Sequence, residues 1–232
     1  MGRSLAWAVH LFTASGAALA LLAAFAVLKR DYRGAFLYLF WTVIIDATDG
    51  WLARRARVAD VLPHIDGGKL DDLVDYTTFV FVPALLMFRA ELLPVSIAPL
   101  VLSVVLIASG FGFANAAAKT PDHFFTGFPS YWNIVAFYLF ALNLPPVWNA
   151  ATLVALAALV VVPIKYVYPS RTETLQTLTC VLCGVWGIAL FWMIGRLPET
   201  PTSVIVWSLV FPLYYTALSL VLSYRTAEPQ NP

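Results

Sequence analysis

The chain is short of charge. Asp, Glu, Lys and Arg make up 12% of its 232 residues, and the 14 basic and 13 acidic side chains nearly cancel to a net +1. That balance argues neither for nucleic acid nor for an acidic partner, and what matters is where the charges sit. Thiols are as scarce: Cys180 and Cys183 are the two cysteines, too few for a disulfide framework. Three apart in an apolar run, they read as two buried thiols on one helix face rather than a metal or redox pair. Internal repeats, low-complexity segments and a second, soluble domain are also missing, and only 228–232 reads as a short polar tail. What the chain does have is apolar residues, 61% of the total with a mean hydropathy of +0.81, far from the average of soluble domains. We therefore expect 1–232 to form a single integral membrane domain.

A helix needs about 20 apolar residues to cross roughly 30 Å of hydrocarbon, and on that basis the sequence divides into eight segments. They are 6–28, 34–54, 71–88, 93–118, 131–144, 147–168, 175–194 and 202–223. The first exceeds the apolar stretch of a signal peptide and is followed by Lys29 and Arg30, so it reads as a span. The fifth is short and meets the sixth through Pro145 and Pro146 with almost no loop. The expected fold is an all-α polytopic bundle of about eight transmembrane helices. With eight spans both termini lie on one side. That side carries nine basic residues (Arg3, Arg54, Arg55, Arg57, Lys69, Lys119, Lys165, Arg171 and Arg225) against five opposite (Lys29, Arg30, Arg33, Arg89 and Arg196), so the positive-inside rule places both termini in the cytosol.

Charge gathers between Asp46 and Asp75, where the second segment joins the third. If the second segment continues as a helix, Asp46, Asp49, Gly50 and Ala53 fall at i, i+3, i+4 and i+7 and share a face. Asp71 and Asp75 are four apart and share a face of the next helix, with Gly67 just before them. Asp60, Asp66 and Asp72 read as solvated helix-end charges, as most loop carboxylates are. The other four are costly, because a carboxylate at the centre of a membrane helix costs about 2.5 to 3.5 kcal/mol on insertion. Four aimed at one space also repel unless a cation sits among them. Hard oxygen donors of this kind suit Mg²⁺ or Mn²⁺. The side chains missing at Gly50, Ala53 and Gly67 let a phosphate or nucleotide approach the backbone, although helix packing also favours small residues.

The series Asp46-x-x-Asp49-Gly50-x-x-Ala53-Arg54, then Gly67-x-x-x-Asp71-x-x-x-Asp75, resembles the signature of the CDP-alcohol phosphotransferases. Twelve residues separate Arg54 from Gly67, more than in the commonest form of that family. The longer spacing is similar to the bacterial phosphatidylcholine synthase branch, as are AVHLFTASGA from Ala8, LDDLVDY from Leu70, FFTGFPSYWN from Phe124 and PIKYVYPSR from Pro163. The resemblance implies a six-helix core around the 46–75 motif region, and an enzyme that condenses CDP-diacylglycerol with choline to give phosphatidylcholine and CMP. It implies Asp46, Asp49, Asp71 and Asp75 as ligands of a divalent metal, Mn²⁺ or Mg²⁺ and two ions, with Asp75 also the general base. Asp49, Gly50, Ala53, Arg54 and Gly67 are implied to meet the nucleotide and its pyrophosphate. A homodimer in the bacterial inner membrane is the expected assembly, with membrane lipid around it and no nucleic-acid partner.

Choline has no N–H to donate, and a quaternary ammonium is normally held by aromatic faces. The two other cytosolic-side loops offer Phe124, Tyr131, Trp132, Tyr166 and Tyr168, though belt and packing roles account for most membrane aromatics. Lys119, Lys165 and Arg171 are the basic groups placed to meet phosphates or headgroups, while His123 reads as a loop histidine. Two rivals stand beside this reading. A transporter would carry polar residues near the middle of several spans, whereas here they gather at one end of two. A sister enzyme with another acceptor alcohol would share the chemistry, and a phosphorylated acceptor would ask for basic residues such as Lys165 or Arg171.

Overall fold

The computed structural model describes residues 2–227, so the polar tail 228–232 lies outside the described residues. Helix α1 (Arg3–Leu28) is built from Ala and Leu without an interior proline or charge. Its buried face is lined by small side chains, Ala6, Gly16, Ala20 and Ala23 among them, which lets α2 (Tyr32–Arg55) pack closely along its length. Asp31 starts α2 by accepting the Gly34 N–H at 2.9 Å, and Arg54 and Arg55 complement its C-terminal dipole. After a single turn, α3 (Val58–Val61), the chain re-enters the bundle at α4 (Gly67–Asp75). There Asp66 caps the helix by accepting the Lys69 N–H at 3.1 Å. Helix α4 runs through a π turn at Tyr76–Phe81 into α5 (Val82–Arg89) as one continuous rod.

Helices α6 (Ala98–Ala114), α7 (Trp132–Leu142), α8 (Pro146–Val161) and α9 (Gln176–Gly195) follow, and α10 (Thr202–Ser208) and α11 (Val210–Ala227) make a last rod interrupted only at Leu209. The result is the all-α polytopic membrane bundle expected, with eight helical rods among the described residues at the eight apolar segments. Among the described residues four stretches are long and apolar enough to cross a bilayer: Arg3–Leu28, Tyr32–Arg55, Gln176–Gly195 and Thr202–Arg225. Helices α6, α7 and α8 are apolar but shorter. The main core lies among α1, α2, α5, α6, α7 and α8, where Leu39, Leu86, Met87, Phe137 and Leu153 are fully or almost fully buried.

Several expected boundaries are corrected. The third rod begins at Gly67, before 71, because the Asp66 cap starts the helix in a polar turn that hydropathy cannot register. The fourth stops at Ala114, short of 118. The sixth stops at Val161, short of 168, because Pro163 has no N–H and biases its predecessor to extended backbone. The residues beyond it form strand β2 (Lys165–Val167), antiparallel to β1 (Phe124–Thr126) with Phe125 opposite Tyr166. Gly127 turns the chain out of β1 at φ +82°, and a Cβ there would run into the Val160 carbonyl. Its N–H instead donates to Ile164 O at 2.8 Å, and the next N–H, of Phe128, donates to Leu159 O at 2.9 Å, which stitches the loop to the end of α8. The cysteines share α9, but Cys180 is exposed and donates weakly to Pro169 O while Cys183 is half-buried. The expectation of two buried thiols holds for neither.

Candidate metal and phosphate site

Helix α2 stays helical through Arg55, so Asp46, Asp49, Gly50 and Ala53 do occupy one face. The capped start of α4 lays Asp71 opposite them. Asp46, Asp49 and Asp71 each bring a carboxylate oxygen within 4.8 Å of the other two. Asp49 is 6% exposed and the other two are partly buried. One oxygen of Asp49 accepts a 2.8 Å hydrogen bond from Thr13 Oγ1 on α1. Asp75, one turn past Asp71, stands outside the triad but within electrostatic reach of all three members. Lys119 is the cation whose charge reaches Asp46, Asp71 and Asp75. Three like-charged oxygens this close, one carboxylate almost sealed from water, form a hard donor set that fits a divalent cation.

A cavity of about 280 Å³ opens beside the triad, lined by Gly50, Arg54 and Asp71 on one side and by Lys119, Thr120, His123, Phe124, Tyr168 and Arg171 on the other. The second wall exists because β1 and β2 pair, which folds the two loops from Lys119 and Pro163 over the end of α2. The missing side chain at Gly50 leaves space for the Arg54 guanidinium, since a Cβ would lie 3.2 Å from Arg54 Nη1. The bare Cα of Gly67 abuts an imidazole: a Cβ there would lie 3.2 Å from His10 Cε1. Ala53 is half-buried on the same face of α2. Asp66 is the cap of α4 and Asp60 is exposed, in keeping with their reading as helix-end charges.

The loop side chains divide into separate groups. Lys119 and Arg171 line the cavity. Lys165 is bound to Asp122 at 2.6 Å and lies over the Phe124 ring, and its ammonium holds the Asp122 carboxyl below the ordinary carboxylate range. Phe124 and Tyr168 face the cavity, Tyr168 stacked on Phe125 at 4.5 Å. Tyr131 and Tyr166 join Phe128 and Tyr215 in a closed ring of four aromatics, each centroid 6.3–6.5 Å from the next. Tyr131 lies within electrostatic range of Asp46. Trp132 is fully buried and donates its Nε1–H to Ser109 Oγ at 2.7 Å, so it packs the bundle and leaves no face for a ligand.

Four residues of this region escaped the sequence reading: His10, Thr13, Phe128 and Tyr215. His10 and Thr13 sit three apart in an otherwise apolar helix, a usable signal. Phe128 and Tyr215 are two more aromatics among many and gave none.

No family model matches the chain. It is 38% identical to the phosphatidylcholine synthase of Legionella pneumophila, over 97% of this chain and 89% of that protein. It is 37% identical to the phosphatidylcholine synthase of Pseudomonas aeruginosa, over 97% and 94%, and 41% identical to that of Bradyrhizobium diazoefficiens, over 80% and 70%. The chain belongs to the bacterial phosphatidylcholine synthases, the branch of the CDP-alcohol phosphotransferases its signature resembles.

Proposed function

We propose that this member of the family condenses CDP-diacylglycerol with choline to give phosphatidylcholine and CMP, at the cytosolic side of the bacterial inner membrane. The observation that carries the reading is the meeting of an acidic triad with a cavity whose opposite wall is basic. Asp46, Asp49 and Asp71 hold the cation, with Asp75 closing the site. When bound, two Mn²⁺ or Mg²⁺ ions supply charge neutralisation for the pyrophosphate and for departing CMP. Gly50, Ala53 and Gly67 leave room for cytidine and pyrophosphate, and Arg54, Lys119 and Arg171 contact the phosphates as hydrogen-bond donors. Lys165, tied to Asp122, fixes the loop instead.

Asp75 takes the proton of the choline hydroxyl, and the oxygen attacks the phosphorus that carries diacylglycerol. The bond from that phosphorus to CMP breaks, and no covalent enzyme intermediate is needed. Choline's trimethylammonium rests on Tyr131, the partly exposed tyrosine of the aromatic ring, which the buried Tyr166 and Tyr215 hold in place beside Phe128. Phe124 and Tyr168 shape the donor cavity. The acyl tails stay in lipid while choline arrives from water, so the cleft lies near the interface with both termini cytosolic. The working unit is a homodimer.

The test is radiolabelled choline transfer by purified protein with CDP-diacylglycerol and Mn²⁺ or Mg²⁺, beside Asp75→Asn and other alcohols. Metal-dependent phosphatidylcholine and CMP, lost in a folded Asp75→Asn, is the expected result. Turnover only with another alcohol assigns a sister phosphotransferase. No CMP with any acceptor returns a transport role to first place.

A further inference from the structure

Helix α1 carries none of the acidic signature, yet it is pressed against the site at three successive points. His10 packs against the bare Cα of Gly67 at the start of α4, and a Cβ at Gly16 would lie 2.6 Å from Val74 Cγ1 further along the same helix. Between these contacts Thr13 donates to Asp49 across to α2. His10 and Thr13 are 6% and 7% exposed. Thr13 is committed: its hydroxyl has one proton, and the 2.8 Å contact to the carboxylate is much shorter than the 3.4 Å contact to its own helix at Val9 O. His10 is not, because its Nε2 is buried without a hydrogen-bond partner. An unmet buried nitrogen of this kind costs about 1–3 kcal/mol and asks for a ligand atom.

We propose that α1 is a wall of the active site, with Thr13 a positioning residue that turns Asp49 toward the cation and His10 a contact for the phosphates of the nucleotide-linked donor. This rests on the reading that the triad holds a divalent metal. By occupying one carboxylate oxygen, Thr13 fixes the rotamer of Asp49 and leaves its remaining lone pairs directed at Asp46 and Asp71. Partners behind a metal ligand typically change affinity by about 10–100-fold. Asp66 already takes the Lys69 N–H at the start of α4, so it is the buried Nε2 of His10 that is left to meet a phosphate oxygen arriving beside Gly67.

The experiment measures Mn²⁺ binding by electron paramagnetic resonance without substrate, and CDP-diacylglycerol binding by calorimetry, on full-length protein in lipid nanodiscs. Thr13→Val is expected to weaken Mn²⁺ binding about tenfold or more, with Thr13→Ser restoring it. His10→Phe is expected to weaken CDP-diacylglycerol binding about tenfold at unchanged Mn²⁺ affinity, a loss typical of one hydrogen bond to a charged group, with His10→Gln recovering part. Parental Mn²⁺ affinity in Thr13→Val, or parental donor affinity in His10→Phe, overturns the inference alone. A parent protein that binds no Mn²⁺ overturns the metal reading and the inference with it. Should Thr13→Val fail to fold, an altered Mn²⁺ affinity in Thr13→Ala that Thr13→Ser does not share supports the assignment, and equal affinities refute it.

Discussion

The two ends of α2 live in opposite surroundings. Near its start, Phe36 sits edge-on to Phe137 and Phe140 with centroids 5.6 Å apart, and Leu39 is buried beside it. The polar groups there, the Asp31 cap and the Tyr32 hydroxyl, which donates to Arg89 O at 2.8 Å, are met at the helix end, and along Phe36 and Leu39 close packing holds the helices, as it must where lipid is as apolar as the core. Near its end, Asp46 and Asp49 face Asp71 across a gap that like charges push open, with Thr13 the hydrogen-bond donor tied to Asp49. One helix thus keeps its stability at one end and its chemistry at the other, and the two should respond to different insults.

The sharpest separation comes from the metal. Chelation with EDTA is expected to abolish choline transfer and to lower the melting temperature, and Mn²⁺ at about 100 times its dissociation constant should restore about 2.7 kcal/mol of stability. Next, Asp75→Asn should reduce turnover by about 10²–10⁴-fold, the usual share of a positioned base, with the melting temperature of the chelated protein unchanged. Phe36→Ala reverses the pattern: about 3 kcal/mol of stability lost through a cavity, and an unchanged KM for choline. Equal damage to KM and melting from both substitutions would break the contrast between the ends. Tyr131→Leu should raise the choline KM about tenfold, the weight of about 1–2 kcal/mol of cation–π attraction, while leaving CDP-diacylglycerol binding alone.

The smallest effect is expected at Asp122, on the exposed loop. Its carboxyl is held below the ordinary range by the hydrogen-bonded Lys165 ammonium. A depressed folded pKa adds stability at neutral pH that is lost as pH falls through that pKa, below the usual carboxylate range. Both side chains are solvent-accessible, so the contribution is under about 1 kcal/mol. Amide exchange across 119–126 should quicken in Asp122→Asn and on acidification, with catalysis at neutral pH nearly intact.

Much of this was legible beforehand because carboxylates in an apolar sequence are conspicuous. The face shared by Asp46, Asp49, Gly50 and Ala53 follows from helical spacing once α2 is taken to continue, and Asp71 follows from its own short spacing to Asp75. The antiparallel pair of β1 and β2 was hidden because Lys165–Val167 extends an apolar run, and only pairing with the distant Phe124–Thr126 decides its backbone. Trp132 was misleading for a related reason: its loop position suggested a ligand, while its bond to Ser109 is a matter of tertiary packing. The spacing of His10 and Thr13 in an apolar helix marks them as polar neighbours, but their partners, Asp49 on α2 and Gly67 on α4, come only with the tertiary packing.

The π turn at Tyr76–Phe81 begins on the residue after Asp75, and Pro83, with no N–H to give, follows it closely. A turn of that kind adds about one residue to the rod and so rotates everything beyond it by roughly 100° relative to an unbroken helix. Two azimuths are thereby written on one cylinder: Asp71 and Asp75 face the acid end of α2, while Val82, Leu86 and Met87 face the dry interior. Each half can drift in composition without turning the other. A one-residue deletion in the wide turn, though it removes no side chain from either half, would rotate them out of alignment.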